Sequence, residues 1–213
     1  MKPLNAPYQL SLAKSSHQYS HLQQFIQDQY FHEFNATIPH FLPVLLGLYR
    51  ADGQLVSACG LNPAHLNNLY LEHYLDAPIE QVVADQHGIA MNRAQIIEIG
   101  NFAAVEAGAS RIMFAALCLL LRKSHLDYVA FTGTNKIRNI FQRLHLNPVE
   151  LSPALPERLG DDANAWGEYY RNHPLVMIGD VTAGYQTLSE NSLLFSLFGA
   201  VPSLFSETVR TSA

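Results

Sequence analysis

Residues 96–121 read IIEIGNFAAVEAGASRIMFAALCLLL. The run opens on a strand over residues 95–99, rich in isoleucine and therefore buried. That strand carries one carboxylate, Glu98, between Ile97 and Ile99. A loop through Asn101, Phe102 and Ala103 follows, and Gly108, Ala109 and Ser110 open a long helix over residues 108–124. The helix is apolar nearly all round, which places it inside a fold rather than on its surface. Small residues at a helix start let a ligand approach the backbone. The free N–H groups there, added to the helix dipole, suit a phosphate. Glu98 then has two readings: an acid beside whatever those amides hold, or half of an ion pair with Arg93 or Arg111.

Working outward, residues 8–13 alternate polar and apolar as a first strand does, and residues 17–34 place Leu22, Phe25, Ile26 and Tyr30 at helical spacing. Residues 44–49 and 55–60 form two strands joined by Ala51-Asp52-Gly53, a hairpin turn. Residues 69–75 predict a further strand. Pro78 opens a helix that runs to about Gly88, with Asp76 as its cap. Residues 128–132 are a strand and 135–145 an amphipathic helix, capped by Thr134 or Asn135; residues 175–178 are a late strand. Strands alternating with helices predict an α/β fold with a mixed central sheet flanked by helices. Residues 193–205 are apolar and broken by Pro202: a packing arm, an oligomer contact or a lipid-facing lid.

A chain of 213 residues, 48% hydrophobic and 15% charged, is long enough for one sizeable core. A net charge of -5 without a dense Lys/Arg run excludes a nucleic-acid partner. Cys59 and Cys118 lie in apolar surroundings and read as buried free thiols. The N-terminal segment has no continuous apolar stretch, and the longest apolar run falls well short of the ~20 residues of a spanning helix. The expected location is the cytoplasm. His17 and His21 are four apart, but no third ligand accompanies them, so no metal is expected.

Four stretches carry a resemblance: LYLEHYLDAPIE (69–80), IIEIGNFAA (96–104), AFTGTNKIRNIFQRL (130–144) and WGEYYRNHPLVMIGD (166–180). In this order they resemble the thermostable hemolysin family of bacterial proteins. That family is similar to the acyl-homoserine lactone synthases and to the GCN5-related N-acetyltransferase fold. The resemblance implies a GCN5-related N-acetyltransferase-like domain over residues 1–185, followed by an apolar C-terminal arm over 186–213. It implies a donor site over residues 98–111 beside a splayed neighbouring strand, and transfer of an acyl group from coenzyme A or acyl carrier protein to a small amine. Val105 stands where the acetyltransferase phosphate loop has Gln or Arg, and Asn101 where the lactone synthases often carry a basic residue.

Under that resemblance Glu98 is the expected general base, because an amine must lose a proton to attack a thioester, and burial raises a carboxyl pKa toward the working range. Glu72 is expected to bind the acceptor's ammonium and Thr132 to orient the thioester carbonyl. Asn101, Phe102, Ala103, Gly108, Ala109, Ser110, Arg111, Asn135 and Arg138 are the expected donor-binding set, Arg138 through a phosphate or a carrier-protein acid. Phe102, Phe114, Phe131 and Phe141 either line an acyl tunnel or form ordinary core. Two other expectations stand beside the enzyme. One is a membrane-active hemolysin, with residues 193–205 touching lipid. The other is a non-catalytic acyl- or lipid-binding module. A homodimer and a carrier-protein partner are further expectations.

Overall fold

The computed structural model describes residues 6–191 and 193–205; residue 192 and residues 206–213 of the expected arm lie outside them. The strands are β1 (Tyr8–Leu12), β2 (Val44–Arg50), β3 (Leu55–Pro63), β4 (Ile96–Ala104), β5 (Tyr128–Gly133), β6 (Val149–Pro153) and β7 (Leu175–Asp180). The α-helices are α1 (Ser16–Phe34), α2 (Ile79–His87), α3 (Ala107–Lys123), α4 (Asn135–Arg143) and α5 (Val181–Asn191). The strands form one sheet in the order β1-β2-β3-β4-β5-β7-β6. Strands β4 and β5 run parallel, joined through α3, and the other neighbours are antiparallel.

The side-chain alternation of β4 decides what each face of the sheet holds. Ile97 and Ile99 point to the face covered by α3, in one core with Met113, Phe114 and Leu117. Ile96 and Ala130 point to the other face, in a core with Leu71, Tyr74 and Val83. A third core gathers Leu22, Ile26 and Tyr30 of α1 with Leu45, Ala58, Trp166 and Tyr169. Glu98 shares the parity of Ile96, so it lies on the face away from α3.

Strand β4 is longer than its sequence suggested: it runs through Phe102 and Ala103, which were expected in a loop. The cause is a β-bulge. Ala58 pairs with Ala103 and Gly60 with Gly100, so Asn101 and Phe102 together face Cys59. Asn101 takes φ 49, a left-handed conformation that asparagine tolerates better than most residues. Its buried side chain fixes the segment before β2: the Leu42 N–H donates to Oδ1 at 2.8 Å, and Nδ2 donates to the His40 carbonyl at 3.0 Å. Gly60 lets that segment lie on the sheet, since a Cβ there would stand 2.7 Å from Leu42 Cβ.

The expected strand over 69–75 is a 3-10 helix, Tyr70–Tyr74. Its free N–H groups find side-chain acceptors instead of a sheet partner: Leu69 donates to Glu72, while Tyr70 and Leu71 donate to Glu98. Nor does Asp76 cap α2; it is paired with Arg158, and the Ile79 N–H donates to Glu72. Among the strands and α-helices, two escaped the sequence reading. One is β6, a short edge strand. The other is α5, where Asp180 accepts the Ala183 N–H at 2.8 Å directly after β7. Residues 193–205 pack on the α3 side: Phe198 bridges to Tyr8, and Lys123 Nζ donates to the Val201 carbonyl at 2.6 Å. No helix among the described residues is long and apolar enough to cross a membrane.

The loop that brings Trp166 against α1 depends on Gly167, at φ 51 and ψ -121. A Cβ there would stand 2.4 Å from the Phe34 carbonyl oxygen and 2.5 Å from that of Asn35. Backbone bonds hold the approach: Glu168 N–H to Phe34 O, and Thr37 N–H to Ala165 O, both at 2.7 Å. Gly167→Ala is expected to destabilise the fold by about 2–4 kcal/mol, because neither backbone can yield and the conformation is strained for any side chain. Urea denaturation of the two proteins, followed by tryptophan fluorescence, measures it.

Candidate active site

Strand β4 pairs with β5 only from Ile96 to Ile99, opposite residues Tyr128 to Phe131. Beyond that, residues 100–104 stay with β3, while Thr132 and Gly133 stay with β7. The two parallel strands therefore part where the bulge begins. A cavity of about 230 Å³ passes through the opening. Its lining includes Glu98, Tyr70 and Trp166 on one face of the sheet and Phe114, Leu117 and Phe141 on the other. A smaller cavity of about 60 Å³, lined by Ala103, Ser110, Thr134 and Lys136, shares Tyr30, Phe102, Thr132, Ile137 and Tyr169 with the first.

Glu98 is 3% exposed. Its Oε1 accepts the Leu71 N–H at 2.8 Å; its Oε2 accepts the Tyr70 N–H at 2.8 Å and Asn62 Nδ2 at 3.3 Å. No arginine or lysine pairs with it among the described residues. Burial pushes its carboxyl up to about 7, outweighing the three donors that favour the ionised form. The result is a carboxylate held in one orientation and titrating near neutrality, which is what a proton acceptor needs.

The other expected residues divide. Asn101, Phe102 and Thr132 join Glu98 around the large cavity, and Phe102, Ala103, Ser110 and Thr132 surround the small one. Phe102, Phe114, Phe141 and Phe131 line the large cavity in ring contact one after the next at 4.7 to 5.0 Å, the first pair stacked, the second tilted and the third edge-on. Gly108, Ala109 and Arg111 line neither. Ala109 is buried in the core, Arg111 is exposed, and Ser110 donates its hydroxyl to Glu106 O at 3.4 Å. At the start of α3, Glu106 is ion-paired with Arg50 and Val105 is exposed.

Asn135 and Arg138 brace the start of α4. Arg138 donates to the carbonyls of Gly133 and His173, each at 2.8 Å, and to Asn135 Oδ1. Thr134 takes the N-cap position, but its hydroxyl makes no capping bond. Glu72 lies outside both cavities. Arg93 Nη1 and Nη2 grip its carboxylate at 2.7 and 2.9 Å, and Nη1 also reaches Glu80. Among the described residues, no group of three His, Cys, Asp or Glu side chains could hold a metal ion.

Sequence reasoning missed the aromatic wall beside Glu98. Tyr30, Tyr70, Tyr74, Trp166 and Tyr169 all line the large cavity. The Tyr70 ring lies 6.2 Å from Trp166 and 6.0 Å from His40, which is paired with Asp162. Tyr74 and Tyr170 share a hydroxyl–hydroxyl hydrogen bond of 2.7 Å. Tyr70 Oη and Trp166 Nε1 are buried with no hydrogen-bond partner but each other; burial raises the phenol's pKa and the indole N–H offsets part of that rise. The only signal in the sequence was the clustering of aromatics in YLEHY and WGEYY, which reads equally well as core.

Known structures share this architecture. The acyl-homoserine lactone synthase LasI superposes with a TM-score of 0.58 at 11% identity, covering 87% of this chain and 95% of its own. FeeM, an N-acyl amino acid synthase from uncultured soil microbes, superposes at 0.59 and 14% identity, covering 85% and 98%. The CoA-dependent lactone synthase BjaI, solved with SAM and isopentyl-CoA, superposes at 0.57 and 15% identity, covering 93% and 95%. No curated protein matches the sequence. At these identities the likeness is one of fold: an α/β mixed sheet flanked by helices, shared with these acyl-transferring synthases. The thermostable hemolysin family matches residues 12–185, and the chain belongs to that family.

The contrast between Glu72 and Glu98 is testable. Burial raises the Glu72 carboxyl, but the Arg93 hydrogen bonds and the N–H groups of Ile79 and Leu69 bring it net below its usual value of 4.5. A lowered folded value stabilises the fold above the unfolded pKa, and that stabilisation fades as pH falls through the folded value. Glu72→Gln is therefore expected to lose about 1–2 kcal/mol at neutral pH, discounted for partial exposure of the pair. The gap from the parent should narrow in acid. Urea titrations of both proteins across pH measure it.

Proposed function

We propose that this protein is an N-acyltransferase, moving an acyl group from an acyl thioester, on coenzyme A or acyl carrier protein, to a small amine. The observation that carries this reading is the position of Glu98. A carboxylate titrating near 7 faces a cavity that crosses the sheet between two diverging parallel strands. One side of that cavity is polar and aromatic; the other is walled mainly by apolar side chains, with His145, Asn147 and Asp180 also in its lining. The fold shared with acyl-transferring synthases supports the assignment.

In this reading the acyl chain lies among Phe114, Leu117, Phe131 and Phe141, between the sheet and helices α3 and α4. The thioester sits in the gap beside Phe102 and Thr132, where the Thr132 hydroxyl can donate to the carbonyl oxygen. The acceptor enters on the Glu98 face. Glu98 takes a proton from the ammonium, the freed lone pair attacks the thioester carbon, and a C–N bond forms as the C–S bond breaks. The sulfur leaves with the donor as a thiolate, which takes the second proton from the nitrogen as the amide forms and departs as a thiol. The donor's affinity comes chiefly from its chain, because Glu106 stands at the N-terminus of α3 where a phosphate would otherwise be drawn.

Two outcomes follow. Thioester cleavage should require ionised Glu98, so kcat/KM of the parent rises with pH through about 7, and Glu98→Gln loses about 10²–10⁴-fold. A flat pH profile, or full activity in that variant, would remove Glu98 from the chemistry. Separately, lengthening the acyl group should strengthen donor binding by about 0.8 kcal/mol per methylene until the cavity is full. Free-thiol release across pH in the parent and the variant measures the first, and donor KM across a chain-length series of acyl-CoA measures the second.

A further inference from the structure

The Glu98 end of the cavity has a composition that selects its ligand. Among the described residues, the lining contains no lysine and no arginine. It contains the Glu98 carboxylate, and Asp162 stands at the rim on His40. Tyr30, Tyr70, Tyr74, Trp166 and Tyr169 complete the wall. Trp166 is only 7% exposed, and its buried Nε1 has no acceptor other than the neighbouring Tyr70 Oη. With the indole N–H on one lone pair, Tyr70 Oη keeps a second lone pair and its own proton for a ligand.

We infer that the acceptor is a primary amine whose only charge is its ammonium, an alkylamine or arylalkylamine rather than an amino acid. An ammonium entering here meets the Glu98 carboxylate, the faces of electron-rich rings, and a phenol oxygen able to accept its N–H. Its hydrocarbon part meets aromatic surface. An α-carboxylate on the same molecule would be carried into a space lined by no lysine or arginine, where His40 is already held by Asp162. It would stand close to Glu98, a buried like charge without compensation. Sites that bind amino-acid carboxylates use a fixed cation or a fork of donors; Tyr70 and Trp166 supply single neutral donors.

The inference rests on the acyltransferase reading, but amine binding can be measured without turnover. Calorimetric titration of the purified full chain would use phenethylamine, hexylamine and L-phenylalanine, at a pH about one unit above the Glu98 value. Phenethylamine and phenylalanine differ only by the carboxylate. Both amines are expected to bind saturably, and phenylalanine at least about tenfold more weakly. Trp166→Phe, which keeps the packing but loses the indole, should weaken phenethylamine binding. Phenylalanine binding as tightly as phenethylamine, or the absence of saturable amine binding, overturns the inference. A parallel assay of decanoyl-CoA cleavage separates the two claims. Amine binding without cleavage upholds this inference and defeats the acyltransferase reading. Cleavage driven by amino acids and not by amines does the reverse.

Discussion

The Glu98 carboxylate accepts the N–H groups of Tyr70 and Leu71 at 2.8 Å each, and so ties the middle of the sheet to the short helix that carries the aromatic wall. The bonds work in both directions. The amides fix the direction of a buried acid that would otherwise have no reason to hold one rotamer. The acid satisfies the first-turn donors of a 3-10 helix too short to satisfy them itself. Three hydrogen bonds should stabilise the anion, yet burial still dominates, and the carboxyl is left near neutrality. Structural anchoring and proton affinity therefore reside in the same side chain.

The opening before that acid has its own cause. A sheet that stayed paired from β4 to β5 would be closed at Phe102 and Thr132. The bulge at Asn101 turns the far half of β4 away, and the Asn101 side chain makes the bulge hold by bonding the backbone of residues 40 and 42. That same segment carries His40 to the rim of the cavity. A backbone irregularity, a loop position and a cavity are consequences of one residue in a left-handed conformation.

The sequence displayed the alternation that puts Glu98 opposite Ile97 and Ile99, and the apolar helix that follows, because buried elements with clear periodicity need no distant partner to be read. The hairpin around Asp52 and Gly53 was legible for the same reason. The turn over Tyr70–Tyr74 was not: LYLEHYL alternates well enough to resemble a strand, and what overrides the pattern is a hydrogen bond to Glu98, 27 residues from Leu71. The part played by Glu72 was hidden likewise, since nothing local shows that Arg93 reaches it. Arg138 sits at a helix start where a phosphate ligand would be natural, and tertiary structure instead turns it onto two carbonyls. The aromatic wall assembles from segments about 100 residues apart, so its composition was visible and its purpose was not.

Acyl transfer here requires one passage crossing the sheet, with a carboxylate at one end and room for an acyl chain at the other. A crystal structure with decyl-CoA, a thioether that cannot transfer its chain, tests this most directly. The chain should lie between the sheet and α3, against Phe114 and Phe141, with the sulfur in the gap between β4 and β5 and open toward Glu98. A chain bound outside the sheet, or a gap closed by Phe102 and Thr132 with the ligand elsewhere, would contradict it.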